Sequence, residues 1–223
     1  MEENLVSEKR LISSFNGLKL SDHGQVVIRQ GAEESLKIEA ESEVLPRIRS
    51  EISNGTLHLK LDQDWMERLV SGLRSLIGSP IKYTLTVKKL NRLYIGGKFE
   101  VIIHDLDTKD LAILSSGLGN VELDSLQAEK LEVTLSGRAK FSGTGNVIEQ
   151  IIQVSGSGDY LASQLQSQRS TVHITGHGSA QVWADESLTV EITGLGHVQY
   201  SGKATVRPTI TGLGSVSRMS DSS

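Results

Sequence analysis

"TGLGHVQYSGKATVRPTITGLGSVSR", residues 193–218, writes TGLG twice, eighteen residues apart, each time with a valine two places past the second glycine. The phrase recurs upstream as "GGKFEV" from 96, "SGLGNVEL" from 116, "SGRAKFSG" from 136, "SGSGDYLA" from 155 and "TGHGSAQV" from 175. The leading glycines Gly97, Gly117, Gly137, Gly156, Gly176, Gly194 and Gly212 are spaced by 20, 20, 19, 20, 18 and 18 residues. A period this narrow over seven copies is the mark of a repeat architecture.

Within each unit, apolar and polar residues alternate. "LEVTLSG" sets Leu131, Val133 and Leu135 against Glu132 and Thr134, and "LTVEITG" does the same with Leu188, Val190 and Ile192. A second alternation follows the glycines: Val121 and Leu123, Ala180 and Val182, Val198 and Tyr200. A period of two means β-strand, because successive side chains face opposite sides. Each unit therefore reads as strand, glycine turn, strand and a polar connection. A unit of 18–20 residues buries its apolar side only against copies of itself. The expected fold is all-β: a parallel β-helix, or solenoid, with coils of about 18–20 residues stacked about 4.8 Å apart. Glycine at a fixed place in each coil predicts a sharp corner, with positive φ or close approach between layers.

The whole chain, residues 1–223, reads as a single solenoid domain, with seven regular glycine-turn coils over 95–218. Residues 9–94 carry irregular strands such as "GQVVIRQG" and "GTLHLKLD", read as atypical N-terminal coils or a cap, since an open coil is a bare sheet edge. In "DQDWMERLVSGLRSLIGSP", Trp65, Leu69, Leu73, Leu76 and Ile77 fall on one helical face, predicting a short inserted helix over about 64–77. That helix reads as a cover for the solenoid or a contact with a partner.

A formal charge of −4 argues against a nucleic-acid binder, which normally presents a basic face. The absence of cysteine excludes a disulfide framework and thiolate metal sites. No stretch approaches the ~20 apolar residues of a membrane span. The start, "MEENLVSEKRLISSF", is charged and shows no signal peptide.

Candidate chemistry is thin. "HDLDTKD" gathers His104, Asp105, Asp107 and Asp110, a set that would suit a polysaccharide-cleaving or calcium site if carboxylates converged. One coil later Asp124 falls opposite His104 and Ser125 opposite Asp105, so the carboxylates form no ladder and the stretch reads as a solvated connection. The position closing each turn carries Asn120, Lys140, Asp159, Ser179, His197 and Ser215, with Lys98 as its counterpart in the shorter first unit. It keeps polarity and changes residue type, as turn residues do or as a mixed polar groove for glycans would. His173 points outward and His177 sits in a turn, so their spacing of four forms no helical metal pair. Trp183 and Tyr200 are read as closing the core edge, with sugar stacking as the functional alternative. No catalytic, cofactor or metal residue is assigned.

"FNGLKLSDHGQVVIRQG", "SLKIEAESEVLPRIRSEISNGTLHLKL", "PIKYTLTVKKLNRLYIGG" and the SGxG units together resemble the auto-transporter adhesin, head GIN domain family, from about Phe15 to Val216. The resemblance implies a parallel β-helix of an exported or envelope-attached bacterial protein. It departs from the family in showing no signal and in "SGRAK", where Ala139 replaces the second glycine. The expected function is a non-catalytic, adhesin-like interaction module of the cell envelope, periplasmic or secreted where a signal was removed and cytoplasmic otherwise. Its expected partners are a glycan or an envelope protein. Self-assembly is a further route, because the last coil is followed only by a short polar tail. The alternative is a polysaccharide-active, pectinase-like β-helix enzyme.

Overall fold

The computed structural model describes residues 5–62 and 80–219. The helix expected over 64–77, with Trp65, Leu69 and Leu73, lies outside the described residues. The fold is an all-β solenoid, as the repeat predicts, and has about six turns with irregular N-terminal strands. Among the described residues the helical content is one 3-10 turn, Leu45–Arg47.

Each full coil has three sides. In β11 (Leu118–Leu135), side 1 is 118–123, side 2 is 126–130 and side 3 is 131–135. β9 (Lys98–His104), β10 (Leu106–Ser115), β12 (Arg138–Val154) and β13 (Ser157–Ile174) stack on β11 or on one another in parallel register. The inward residues form continuous apolar columns, as strand alternation demands. On side 3, Leu93, Ile113, Val133, Ile152, Val172 and Val190 lie one above another, all buried. On side 1, Val121, Phe141, Tyr160, Ala180 and Val198 do the same, with Phe141 and Tyr160 rings stacked at 4.9 Å.

The change of spacing from 20 to 18 marks a change of shape. β14 (His177–Trp183) ends where side 2 would begin, and β15 (Ser187–Ser201) starts four residues later on side 3. Only a tight turn connects them, in which Asp185 and Glu186 donate to the Ser167 and Gln168 carbonyls of the coil before. Among the described residues the last coil, β16 (Thr205–Arg218), pairs only with β15. The 19-residue unit has another cause: Leu123 pairs with Gly143 but Leu126 with Gly145, so that coil turns its side 1–side 2 corner with one residue fewer.

The N-terminal end is threaded out of chain order. β2 (Gly17–Leu20) and β3 (His23–Gln30) make a coil that lies between two others built later in the sequence. On one flank sit β6 (Thr56–Leu61) and β7 (Lys82–Val87); on the other sit β8 (Arg92–Ile95) and β9. Antiparallel strands close this end: β4 (Ser35–Glu41) on β7, β1 (Leu5–Arg10) on β4, and β5 (Ile48–Ser53) on β6. A reversed strand ends the parallel stack, which blunts the sheet edge.

Candidate ligand-facing surface

The corner between sides 3 and 1 is where the glycines stack. A Cβ on Gly117, Gly137, Gly156 or Gly176 would run into the carbonyl oxygen of the leading glycine one layer earlier. At Gly194 the same oxygen would stand 2.7 Å away. The backbone of one coil passes over the next at this corner with no room for a side chain. Close approach is the common cause; of the seven leading glycines only Gly194 and Gly212 also have left-handed φ, 146° and 137°. The second glycine is crowded too in places: Gly119 has left-handed φ, 134°, and an added Cβ there would run into the Phe99 carbonyl oxygen, whereas Ala139, its partner one coil later, keeps its methyl buried without a left-handed φ.

Past this corner, side 1 presents a column of polar side chains. Strand register aligns Gln25, Glu100, Asn120, Lys140, Asp159, Ser179, His197 and Ser215. This corrects one expectation: Lys98 pairs with Leu118, and Glu100 is the true counterpart of Asn120. Counting three residues on from Gly97 would have found it. Hydrogen bonds tie neighbouring layers: Gln25 Nε2 donates to Glu100 Oε2 at 3.0 Å, and Ser179 Oγ to Asp159 Oδ1 at 2.5 Å. His197 Nδ1 and Ser215 Oγ lie 2.5 Å apart. One position further out, Gln181 Nε2 donates to Gln199 Oε1 at 3.0 Å, a pair that alternation alone did not single out. Near the last coils, exposed Leu195 and Leu213 border the column, with Gly178, Gly196 and Gly214 as its floor. The result is a long polar strip, and at its first layers Gln25, Glu100 and Asn120 line a concavity with His23, Lys98 and Phe99.

The aspartate stretch stays dispersed. Asp105 holds a left-handed corner, φ 45°, and His104 Nδ1 hydrogen-bonds the Asp124 carboxylate of the next coil. Asp107 is held through its backbone, both groups of which bond the Gln30 amide, and the Asp110 carbonyl accepts from Asn91 Nδ2 at 3.0 Å. His173 faces outward as expected and meets Glu191 of the next coil at 3.1 Å, while His177 is exposed and pairs in register with Leu195. Tyr200 packs against the core and lies opposite Val182; Trp183, one residue out of step, turns outward and donates from Nε1 to Asp185 at 3.0 Å. Among the described residues no group of three or more His, Asp or Glu is placed to hold a metal ion. No helix among them is long and apolar enough to cross a membrane.

A parallel solenoid with a polar strip along side 1 defines a class, the parallel β-helix. Residues 14–204 match the family model described as "Putative auto-transporter adhesin, head GIN domain", and the chain belongs to that family. Its fold is shared with a crystal structure titled a putative adhesin from Bacteroides fragilis, at 24% identity, TM-score 0.89 and 98% coverage of both chains. Two Parabacteroides distasonis structures, each 19% identical and 98% covered in both directions, follow at TM-scores of 0.74 and 0.72. They are titled a putative adhesin and a putative lipid binding protein respectively. No protein with a curated description matches the chain.

Proposed function

We propose that this protein is a non-catalytic, adhesin-like interaction module of the bacterial cell envelope that recognises an extended glycan along the polar strip of side 1. The observation that carries the reading is the column from Gln25 to Ser215. It offers donors and acceptors of varied type at one position per coil, already oriented by interlayer hydrogen bonds. A ligand lying along the solenoid axis meets a new polar group about every 4.8 Å. The dispersal of Asp105, Asp107 and Asp110, whose backbones serve structure, supports recognition over hydrolysis. Family membership supports the envelope location.

A glycan array, followed by titration of any hit, tests this. The triple variant Asn120→Ala, Lys140→Ala, Asp159→Ala is expected to weaken binding roughly 100-fold, at ~1 kcal/mol per lost hydrogen bond, with the melting temperature little changed. Binding that ignores all three substitutions moves recognition off side 1. Turnover of an acidic polysaccharide with calcium, abolished by Asp105→Ala or Asp107→Ala, would replace the reading with the enzyme.

A further inference from the structure

The two ends of the solenoid differ. At the N-terminal end, antiparallel β1, β4 and β5 cover the stack. At the other end, nothing among the described residues covers β16. Its inward positions show the consequence: Val198 is fully buried, but Val216, the next residue in that column, is only half-buried. Ile210, stacked on fully buried Ile192, is 42% exposed.

The edge has a definite hydrogen-bonding polarity. The Thr205 N–H donates back to Glu186 O and the Met219 N–H back to Tyr200 O. Residues of a strand point their backbone groups alternately to either side. The odd-numbered residues of β16 therefore bond to β15, and the even-numbered ones face outward. Pro208, an even residue, removes the donor in the middle of the side 3 edge. On side 1, Gly212, Gly214, Val216 and Arg218 leave an unbroken row of outward donors and acceptors.

The charge at this end is also distinct. The chain carries −4, yet residues 202–219 contain Lys203, Arg207 and Arg218 and no Asp or Glu. All three are exposed, and Arg218 Nη2 is held to the Gly202 carbonyl at 2.9 Å. We propose that the side 1 edge of β16, Leu213–Arg218, is a docking strand for an extended acidic segment of a partner protein, which adds to the sheet through the outward backbone groups. Main-chain pairing gives such a complex its hold, and alternate side chains give it selectivity. Inward-pointing apolar residues of the segment would cover Val216, and its carboxylates would meet Arg218 on the strand itself, with Lys203 and Arg207 adding positive charge from the preceding connection and the side 3 edge. A second copy of this chain brings the same basic residues, so like charge disfavours self-pairing where it favours an acidic partner.

The test uses the full chain and a fluorescent synthetic peptide of alternating valine and glutamate, followed by anisotropy and hydrogen exchange. The expected result is saturable binding that slows exchange at Gly212, Gly214, Val216 and Arg218 and weakens as salt is raised. Arg207→Glu with Arg218→Glu is expected to weaken it at least tenfold, and a valine–lysine peptide not to bind. Val216→Pro, which does to side 1 what Pro208 does to side 3, abolishes binding without removing a bond to β15. Should that variant misfold, the exposed charge pair still decides. The side 1 variant Asn120→Ala, Lys140→Ala, Asp159→Ala leaves peptide binding unchanged, so this proposal and the glycan reading fail separately. Protection elsewhere overturns the proposal, as do self-association through β16 and binding of phosphatidylglycerol vesicles by this edge in place of the peptide.

Discussion

At Gly117 one methyl group decides whether two coils can stack. An added Cβ would overlap the Gly97 carbonyl oxygen, which is backbone and has nowhere to go. At Gly96 the nearest atom to an added Cβ is the Leu20 carbonyl oxygen, 3.7 Å away, an ordinary contact. Gly117→Ala is therefore expected to cost several kcal/mol and Gly96→Ala no more than about 0.5 kcal/mol, read from denaturant unfolding. The repeat announced the corner; which glycines have no room for a Cβ needed the neighbouring layer. His23 makes a second prediction at this scale. Burial lowers its pKa below the ordinary 6.5, with nearby Asp22 opposing and Lys98 reinforcing the shift. The unfolded chain thus takes up the proton first, and stability falls as pH drops below about 6.5 toward the folded value. His23→Gln should flatten that part of the melting-temperature profile between pH 7.5 and 5.5, and an unchanged slope would remove His23 as its source.

Among the elements, the loss of side 2 after β13 is the event that sets local energetics. Where the coil narrows, a polar cluster fills the space. The Tyr160 hydroxyl donates to Gln150 Oε1 at 2.6 Å, and Gln150 Nε2 donates to Ser167 Oγ at 3.0 Å and the Trp183 carbonyl at 2.9 Å. Ser170 Oγ also donates to Trp183 O, at 3.1 Å. Gln150, Tyr160, Ser167 and Ser170 are all buried, so each polar atom needs its partner. Burial pushes the Tyr160 phenol well above its usual range, which keeps the donor proton in place. Tyr160→Phe and Gln150→Leu should each cost about 1–3 kcal/mol, because each strands the other's polar group. The double variant should cost clearly less than the sum, and additivity in that cycle would mean the two side chains are not coupled. The spacing of 18 in the sequence carried the narrowing, but the cluster was not legible. Gln150 sits where alternation expects an inward apolar residue, and only the turn above it explains a glutamine.

Over the whole molecule, stability should be graded along the axis. Strands β11, β12 and β13 are paired on both flanks, whereas β16 has one neighbour among the described residues and half-exposed inward residues. Hydrogen exchange should accordingly be slowest in the middle coils and fastest at the outward amides of β16, since local opening follows contact density. Uniform protection from β11 to β16 would mean that the last coil is covered in solution. The threaded N-terminus has a kinetic side. The β2–β3 coil cannot be completed until β6–β7 and β8–β9 flank it, so the first strands made are among the last to be enclosed.

The sequence alone determined the parallel solenoid, the coil length, the inward columns and the glycine corner, because each is a local pattern repeated at one-coil separation. Its period even carried the narrowing of the last coils. Tertiary structure decided what a repeat cannot encode. Residues 17–61 have no shared period, so only strand pairing shows their coil inserted between later ones and their antiparallel cover. Glu100 joins the polar column through register, and Gln150 is explained by a turn more than thirty residues away. The basic residues of the last coil can be counted in the sequence. That they border an open edge, with its free donors on the even-numbered residues, depends on which side of β16 is already paired.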